Sequence, residues 1–118
     1  MPPLTDPERL RCYQNALKNW NYTGCIRFKE RAWVWLQAAF PGFTQRQIAQ
    51  LLHRHVKDGG VIDEQVEIRE EWKKLHEFHH DLRVSIKGRR VYFETRLVYR
   101  NPDDPDDPFI EVVNAHDA

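Results

Sequence analysis

The chain lacks the features that mark a secreted or membrane protein. Its 118 residues contain two cysteines, Cys12 and Cys25, and no internal repeat. Two cysteines without a surrounding motif do not form a disulfide framework, and no apolar run approaches the roughly 20 residues of a membrane-spanning helix. No secretory h-region opens the chain either. We therefore expect a soluble, cytoplasmic protein whose thiols stay reduced.

The formal net charge of the chain is zero, because 18 Lys and Arg balance 18 Asp and Glu. Composition alone therefore does not indicate a nucleic-acid-binding protein. The two halves differ, however: residues 1–58 contain nine basic and four acidic side chains, and residues 59–118 contain nine and fourteen. Much of the acid lies in the loop 101–108, whose three prolines exclude regular structure. This loop lacks the glycine and final glutamate of a calcium loop, so we expect a solvated connector.

No recognised metal-binding pattern is present. The nearest approaches are two histidine groups: His53 with His55, and His76 with His79 and His80. Neither has the spacing of a zinc site or an accompanying cysteine pair. Asp81, Glu94 and Arg96 resemble a metal-nuclease core in order, but arginine stands where lysine is usual. We predict no metal and no other cofactor.

Three helices are predicted in the first 60 residues. Asp6-Pro7-Glu8 begins the first with a cap residue, an N1 proline and an acidic first turn. The second runs from about residue 27 to residue 40, where Pro41-Gly42 stops it. The third, at 44–57, begins with a capping box formed by Thr44 and Gln47.

The remainder favours β-structure. Residues 61–77 give a mixed signal, which we interpret as a brief strand followed by a short helical segment at residues 70–75. A hairpin at 79–99 turns at Lys87-Gly88, and Phe109 to Ala115 forms a further strand. We predict an α+β single domain over 1–118, with a helical part (1–60) and a β-rich part (61–118). Its three N-terminal helices pack on one face of a small antiparallel sheet of three to four strands.

The hairpin sorts its residues onto two faces. If Lys87-Gly88 is a two-residue turn, Val84 pairs with Val91 and Leu82 with Phe93 on an apolar face. The opposite face pairs three polar sets: Arg83 with Tyr92, Asp81 with Glu94, and His79 with Arg96. This polar face has two interpretations. One is a surface lattice of ion pairs, and the other is a site for acid–base chemistry on a phosphate.

The second interpretation assigns a role to each candidate. His79 transfers the proton, Arg83 and Arg96 clamp the phosphate, and Tyr92 orients it. Second-rank candidates are His80 on the core face, Arg90 and His116. Lys87 and Arg89 at the turn are predicted RNA-binding residues. Such a nuclease needs no metal, because the 2′-hydroxyl of the RNA attacks the phosphate.

From Phe43 to Asp117 the chain resembles the RelE/BrnT-like small RNase toxins of bacterial toxin–antitoxin modules, which share the barnase–RelE-type fold. The resemblance lies in the order helix, short linker and antiparallel strands, and in the segments HHDLRV, YFETRLVY and VVNAHD. It implies metal-independent RNA cleavage on the sheet face and a cognate antitoxin as a protein partner. The matching positions are His79, Arg83, Tyr92 and Arg96.

Two other function classes stay open. The acidic loop fits a phage- or plasmid-type inhibitor that acts without catalysis, using its acidic pole. The helix at 44–57 resembles one helix of a helix-turn-helix DNA-binding regulator, and the residues available for DNA are Arg46, Gln47, Gln50, His53 and Arg54. No second helix follows it at turn distance, so an amphipathic packing helix is favoured there.

Overall fold

A computed structural model describes residues 2–22, 24–74, 76–99, 101, 104 and 107–118. In this part of the chain three helices and five strands form. The helices are α1 (Pro7–Lys18), α2 (Glu30–Ala39) and α3 (Gln45–Lys57). The strands are β1 (Ile26–Phe28), β2 (Asp63–Val66), β3 (Phe78–Ile86), β4 (Arg89–Val98) and β5 (Phe109–Asp117).

Two helices begin where the capping signals predict. The Asp6 side chain accepts a hydrogen bond from the Arg9 backbone N–H at 2.9 Å, and Pro7 is the first residue of α1. At α3 the Thr44 hydroxyl accepts from the Gln47 N–H at 3.1 Å, while the Gln47 side chain accepts from the Thr44 N–H at 2.8 Å. The predicted capping box is thus confirmed, and it satisfies backbone donors that the first helical turn leaves open.

The predicted hairpin register is also confirmed. Ile86 pairs with Arg89, Val84 with Val91, and the pairing continues back to His80 with Thr95. Lys87 and Gly88 both have positive φ angles, 50° and 75°. This is the backbone that a two-residue hairpin turn requires. The apolar residues of β3 and β4 consequently face the helices, and the polar set faces the other way.

The sheet differs from the prediction in its number of strands and their direction. It has five strands in the order β1-β5-β4-β3-β2, and β1 runs parallel to β5. The expected sheet of three to four antiparallel strands is therefore wrong, and so is the expectation that three helices precede all strands. Ile26–Phe28, assigned in part to the second helix, instead extends along Ile110–Val112. Its partner lies more than 80 residues away in sequence, so no local pattern reveals the pairing.

The uncertain region between α3 and β3 contains one short strand, as expected. Residues 2–4 contact the outer edge of β2 through hydrogen bonds from Leu4 N to Ile62 O (2.7 Å) and from Glu64 N to Pro2 O (2.9 Å). After β2, residues 70–74 form turns rather than the predicted helix, although Lys73 N–H reaches Arg69 O at 2.9 Å. Leu75, the end of that predicted segment, lies outside the described residues.

The hydrophobic core lies between the three helices and one face of the sheet. α1 and α2 pack against β5, and α3 packs against β3 and α1. Fully buried residues on both sides include Leu17, Leu36 and Leu52 from the helices, and Leu82 and Phe93 from the sheet. No helix in the described part of the chain is long and apolar enough to cross a membrane.

The turn glycine makes a measurable contribution to stability. A Cβ at Gly88 would meet no atom within 4 Å, so its positive φ is the only constraint. We expect Gly88→Val to lower the unfolding free energy by about 1–2 kcal/mol, the cost of a left-handed conformation. Gly88→Asn should lose less, because asparagine tolerates that conformation. Equal urea midpoints for the wild type and the valine variant would contradict the assigned turn.

Candidate functional site

The sheet face opposite the helices, which we call the outer face, carries an unusual amount of buried charge. Its members on β3 and β4 are His79, Asp81, Arg83, Arg90, Tyr92, Glu94 and Arg96. Asp81 and Arg96 have no solvent exposure, and Glu94 is 6% exposed. Buried charges persist only where they are paired or hydrogen-bonded. The partners of these three residues therefore define what the outer face can do.

Asp81 lies at the centre of one cluster. Its Oδ1 is 2.9 Å from His79 Nδ1, and its Oδ2 accepts a hydrogen bond from Gln65 Nε2 at 3.0 Å. Tyr92 on the adjacent strand interacts with the same carboxylate. Burial, the charge of Asp81 and a hydrogen bond to it all raise the pKa of the Tyr92 phenol. That hydroxyl therefore stays protonated at neutral pH and acts as a donor.

The Asp81 carboxylate determines which nitrogen of His79 carries the proton. An ionised carboxylate only accepts hydrogen bonds, so a neutral His79 ring that is bonded to it has its hydrogen on Nδ1. Nε2 then keeps its lone pair. Nε2 makes no hydrogen bond to a residue that the structure describes. It is also not one of the nitrogen atoms that the fold buries away from solvent without a hydrogen-bond partner. Such a nitrogen is able to take a proton from a bound molecule.

Two further side chains surround Tyr92. The Arg83 guanidinium carbon lies 5.4 Å from the centre of the phenol ring, and the His116 ring stacks on it at 4.6 Å. Arg83 uses Nη1 for an ion pair with Asp63 at 2.7 Å, and its side chain is 33% exposed. His116 is exposed, and its Nδ1 lies 2.7 Å from the backbone oxygen of Asp117.

Arg96 belongs to a second, closed cluster. The Trp72 ring lies across its guanidinium at 4.3 Å, and the nearest carboxylate oxygens, of Glu67 and Glu94, are 3.6 and 3.7 Å away. Arg69 completes the cluster by hydrogen bonds to Glu94 at 2.6 Å and to Glu67 at 2.8 Å. Residues 67–74 thus cover this end of the outer face and separate Arg96 from solvent.

The four predicted catalytic residues therefore fall into two groups. The structure brings His79 and Tyr92 together at Asp81, and Arg83 lies beside the Tyr92 ring; all three keep some access to solvent. Arg96 is removed from them by burial, because a guanidinium without exposure cannot contact an external phosphate unless Trp72 moves. The geometry gives Arg96 a structural position instead, as a cation between two carboxylates and an indole.

The second-rank candidates and the predicted RNA-binding residues lie in different parts of the structure. His80 lies in the core, where its Nε2 is 3.0 Å from Glu64 and its burial lowers its pKa. Arg90 is exposed on the outer face. Lys87 and Arg89 lie on the helix side, Lys87 over the Phe43 ring at 5.0 Å and Arg89 paired with Asp117 at 2.6 Å.

The strand register separates His79 from His116. Tyr92 pairs with Arg83 on one side and with His116 on the other. His79 precedes Arg83 by four residues, which corresponds to roughly 13 Å along β3, and two strand spacings of about 4.8 Å separate β3 from β5. His116 therefore lies about 16 Å from His79 across the sheet, and of the two histidines His79 is the one that is hydrogen-bonded to Asp81.

Sequence reasoning missed the residues that complete both clusters. Gln65 and Asp63 reach Asp81 and Arg83 from β2, and Glu67, Arg69 and Trp72 enclose Arg96. The polar alternation of Asp63, Gln65 and Glu67 was an available signal, because alternate residues of a strand share one face.

The structure bears differently on the three other interpretations, which are a metal site, an acidic loop that acts as a binding surface and a DNA-binding helix. No group of three or more His, Cys, Asp or Glu is arranged to hold a metal ion in the described part of the chain. Half of the acidic loop lies outside the described residues, which include 101, 104, 107 and 108 of it. α3 buries Ile48 and Leu52 against the core and leaves Arg54 exposed.

Comparison with known proteins gives no relative: no family model, no curated protein and no solved structure matches the chain.

The structural position of Arg96 predicts a contrast with Arg83. We expect Arg96→Ala to lower the unfolding free energy by about 3–5 kcal/mol, because it removes a fully buried cation from beside two buried carboxylates and leaves a cavity under Trp72. Arg83→Ala should cost about 1 kcal/mol or less, since its ion pair with Asp63 is partly exposed. Urea unfolding of both variants measures the difference. Equal losses would show that Arg96 is not a structural cation.

Acid should weaken the closed cluster. The hydrogen bonds from Arg69 hold the pKa of Glu67 at about 2, below its usual 4.5. A lowered pKa stabilises the fold above the unfolded value, and this contribution disappears as the pH falls from about 4.5 towards 2. Glu67→Gln should remove on the order of 2 kcal/mol of that pH dependence, whereas Glu70→Gln, at an exposed ion pair with Lys73, should not. Unfolding midpoints measured from pH 2 to pH 7 test this; parallel curves for Glu67→Gln and the wild type would refute it.

Proposed function

We propose that this protein is a metal-independent endoribonuclease whose site is centred on His79. The observation that carries the proposal is the Asp81 carboxylate, which is fully buried and is hydrogen-bonded to His79 Nδ1. A carboxylate that orients an imidazole in this way is the usual means of preparing a general base. The outer-face position of the pair, beside an arginine and a phenol, supports a phosphate ester as the substrate.

The proposed reaction uses a nucleophile that the RNA itself supplies. His79 Nε2 takes the proton of a 2′-hydroxyl, and the 2′-oxygen attacks the adjacent phosphorus. The bond from phosphorus to the 5′-oxygen breaks, and that oxygen leaves with a proton from solvent. The products are a 2′,3′-cyclic phosphate and a 5′-hydroxyl. The Asp81 charge stabilises the imidazolium that forms during the step.

Arg83 and Tyr92 act on the charge that develops at phosphorus. Arg83 donates to Asp63 through Nη1 and makes no other hydrogen bond to a residue that the structure describes, so its remaining N–H groups are available to phosphate oxygens. The Tyr92 hydroxyl is kept protonated by burial and by Asp81, and it can donate to the same group. Arg96, the fourth residue of the predicted set, has no direct role in this scheme. Its contribution is to hold β4 and residues 67–74 in place.

The toxin-like order of elements supports the same class. A helix, a short linker and antiparallel strands run from Phe43 to Asp117 as the resemblance implies. The β1 pairing adds a strand to this arrangement. Because fold alone does not determine chemistry, the proposal depends on the Asp81–His79 pair rather than on the resemblance.

Removal of the proposed base should abolish most of the activity. We expect His79→Ala to lower cleavage of a labelled single-stranded RNA by about 10²–10⁴-fold, with RNA affinity nearly unchanged. Asp81→Asn should lower it by a similar factor, because the amide no longer favours the Nδ1–H tautomer. Cleavage in EDTA, followed by mass spectrometry of the fragments, should detect the 2′,3′-cyclic phosphate.

His53→Ala is the matched control, because His53 lies on α3 away from the outer face. It should cleave at the wild-type rate. Wild-type protein that leaves RNA intact, or that cuts only after a divalent ion is added, would contradict the proposal.

A further inference from the structure

We infer that the cleft between α3 and the β3–β4 hairpin binds the phosphodiester backbone of single-stranded nucleic acid. The cleft has a volume of about 390 Å³, and three arginines line it: Arg54 from α3, and Arg83 and Arg90 from the hairpin. The inference deepens the proposed function by assigning a place to the bound chain. Its test uses oligonucleotides that the proposed reaction cannot cut, so the two can fail separately.

The cations of this cleft are available to a ligand. Arg54 and Arg90 are exposed, and neither forms an ion pair with a residue that the structure describes. Arg83 adds a partly exposed guanidinium that shares only one nitrogen with Asp63. Asp58 is the one acidic residue among those that line the cleft in the described part of the chain. The excess of positive charge in a concave site suits a phosphate backbone.

The walls of the cleft are held in place. His55 on α3 lines it beside Arg54, and a Cβ on Gly60 would overlap the His55 ring. This close packing fixes the helix end against the chain that leaves it. Burial lowers the pKa of His55, and the nearby charge of Arg90 lowers it further, whereas a hydrogen bond to the Val61 backbone raises it. Opposite, β3 and β4 are joined by the tight turn at Lys87-Gly88.

The neighbourhood of the cleft favours a single strand over a duplex. Tyr92 and His116 form a stacked aromatic pair on the outer face, and Arg83 connects this pair to the cleft. Unpaired bases stack on such rings, whereas the bases of a duplex are already stacked on one another. A chain whose phosphates contact Arg54 and Arg90 can thus place a base near His116. RNA and DNA share the backbone chemistry, so both enter the test.

The test is binding of a fluorescent oligomer of about twelve nucleotides, measured by anisotropy. The probes are 2′-O-methyl oligouridylate, which has no free 2′-hydroxyl to attack, and oligothymidylate. We expect the Arg54→Ala/Arg90→Ala variant to bind at least tenfold more weakly at about 50 mM salt. The slope of log K against log salt should also decrease in size by about 1.4, because each lost phosphate contact contributes about 0.7.

Two controls keep the result interpretable. Arg11→Ala/Arg31→Ala removes the same charge from exposed arginines of α1 and α2 that do not line the cleft, and it should leave affinity and slope unchanged. Ser85→Glu places a negative charge on the exposed cleft wall without removing an arginine, and it should weaken binding even if the double variant unfolds.

Three outcomes would overturn the inference. One is wild-type protein that binds neither probe. Another is equal loss of affinity in the Arg54/Arg90 and Arg11/Arg31 variants, which would indicate general charge attraction. The third is tighter binding of a duplex of the same length than of the single strand. Binding of both probes, or of one much more than the other, supports the cleft and identifies whether the 2′ substituent contributes.

Discussion

The buried carboxylate of Asp81 is the constraint on which the candidate site depends. A charge without solvent exposure in a protein is stable only if ion pairs or hydrogen bonds replace its water. Gln65 and His79 supply two such bonds from β2 and β3, and Tyr92 supplies a further interaction from β4. The same contacts that stabilise Asp81 therefore align an imidazole and a phenol from adjacent strands. The contacts that the buried charge of Asp81 needs for stability are the same contacts that position His79 and Tyr92.

The other end of the outer face uses buried charge differently. Arg96, Glu67 and Glu94 lie under Trp72, with Arg69 as a second cation at the surface. This cluster attaches residues 67–74, which contain no helix or strand of their own, to the centre of the sheet. The outer face is thus divided into a closed end that contributes to the fold and an open end that can meet a substrate. Neither of the two interpretations of the polar face, a surface lattice of ion pairs or a site for acid–base chemistry, describes the whole outer face.

The sequence predicts those parts of this arrangement that depend on residues close together in the chain, and it does not predict those that depend on distant residues. The caps at Asp6 and Thr44 and the hairpin at Lys87-Gly88 depend on residues a few positions apart, and all three are confirmed. The hairpin register then brings Arg83 to Tyr92 and Asp81 to Glu94. β1 was missed because it pairs with a strand more than 80 residues later in the chain. Arg96 was assigned to the open site for a similar reason: its cover, Trp72, comes from a segment without a clear local pattern.

The tautomer of His79 reports the contact with Asp81 without reference to any substrate. A long-range ¹H–¹⁵N correlation spectrum of the imidazole rings at neutral pH distinguishes the two nitrogens. We expect a His79 ring that is protonated on Nδ1 and keeps a free lone pair on Nε2, with loss of this pattern in Asp81→Asn. A His79 ring protonated on Nε2, or one that exchanges between tautomers as in an unstructured peptide, would contradict it.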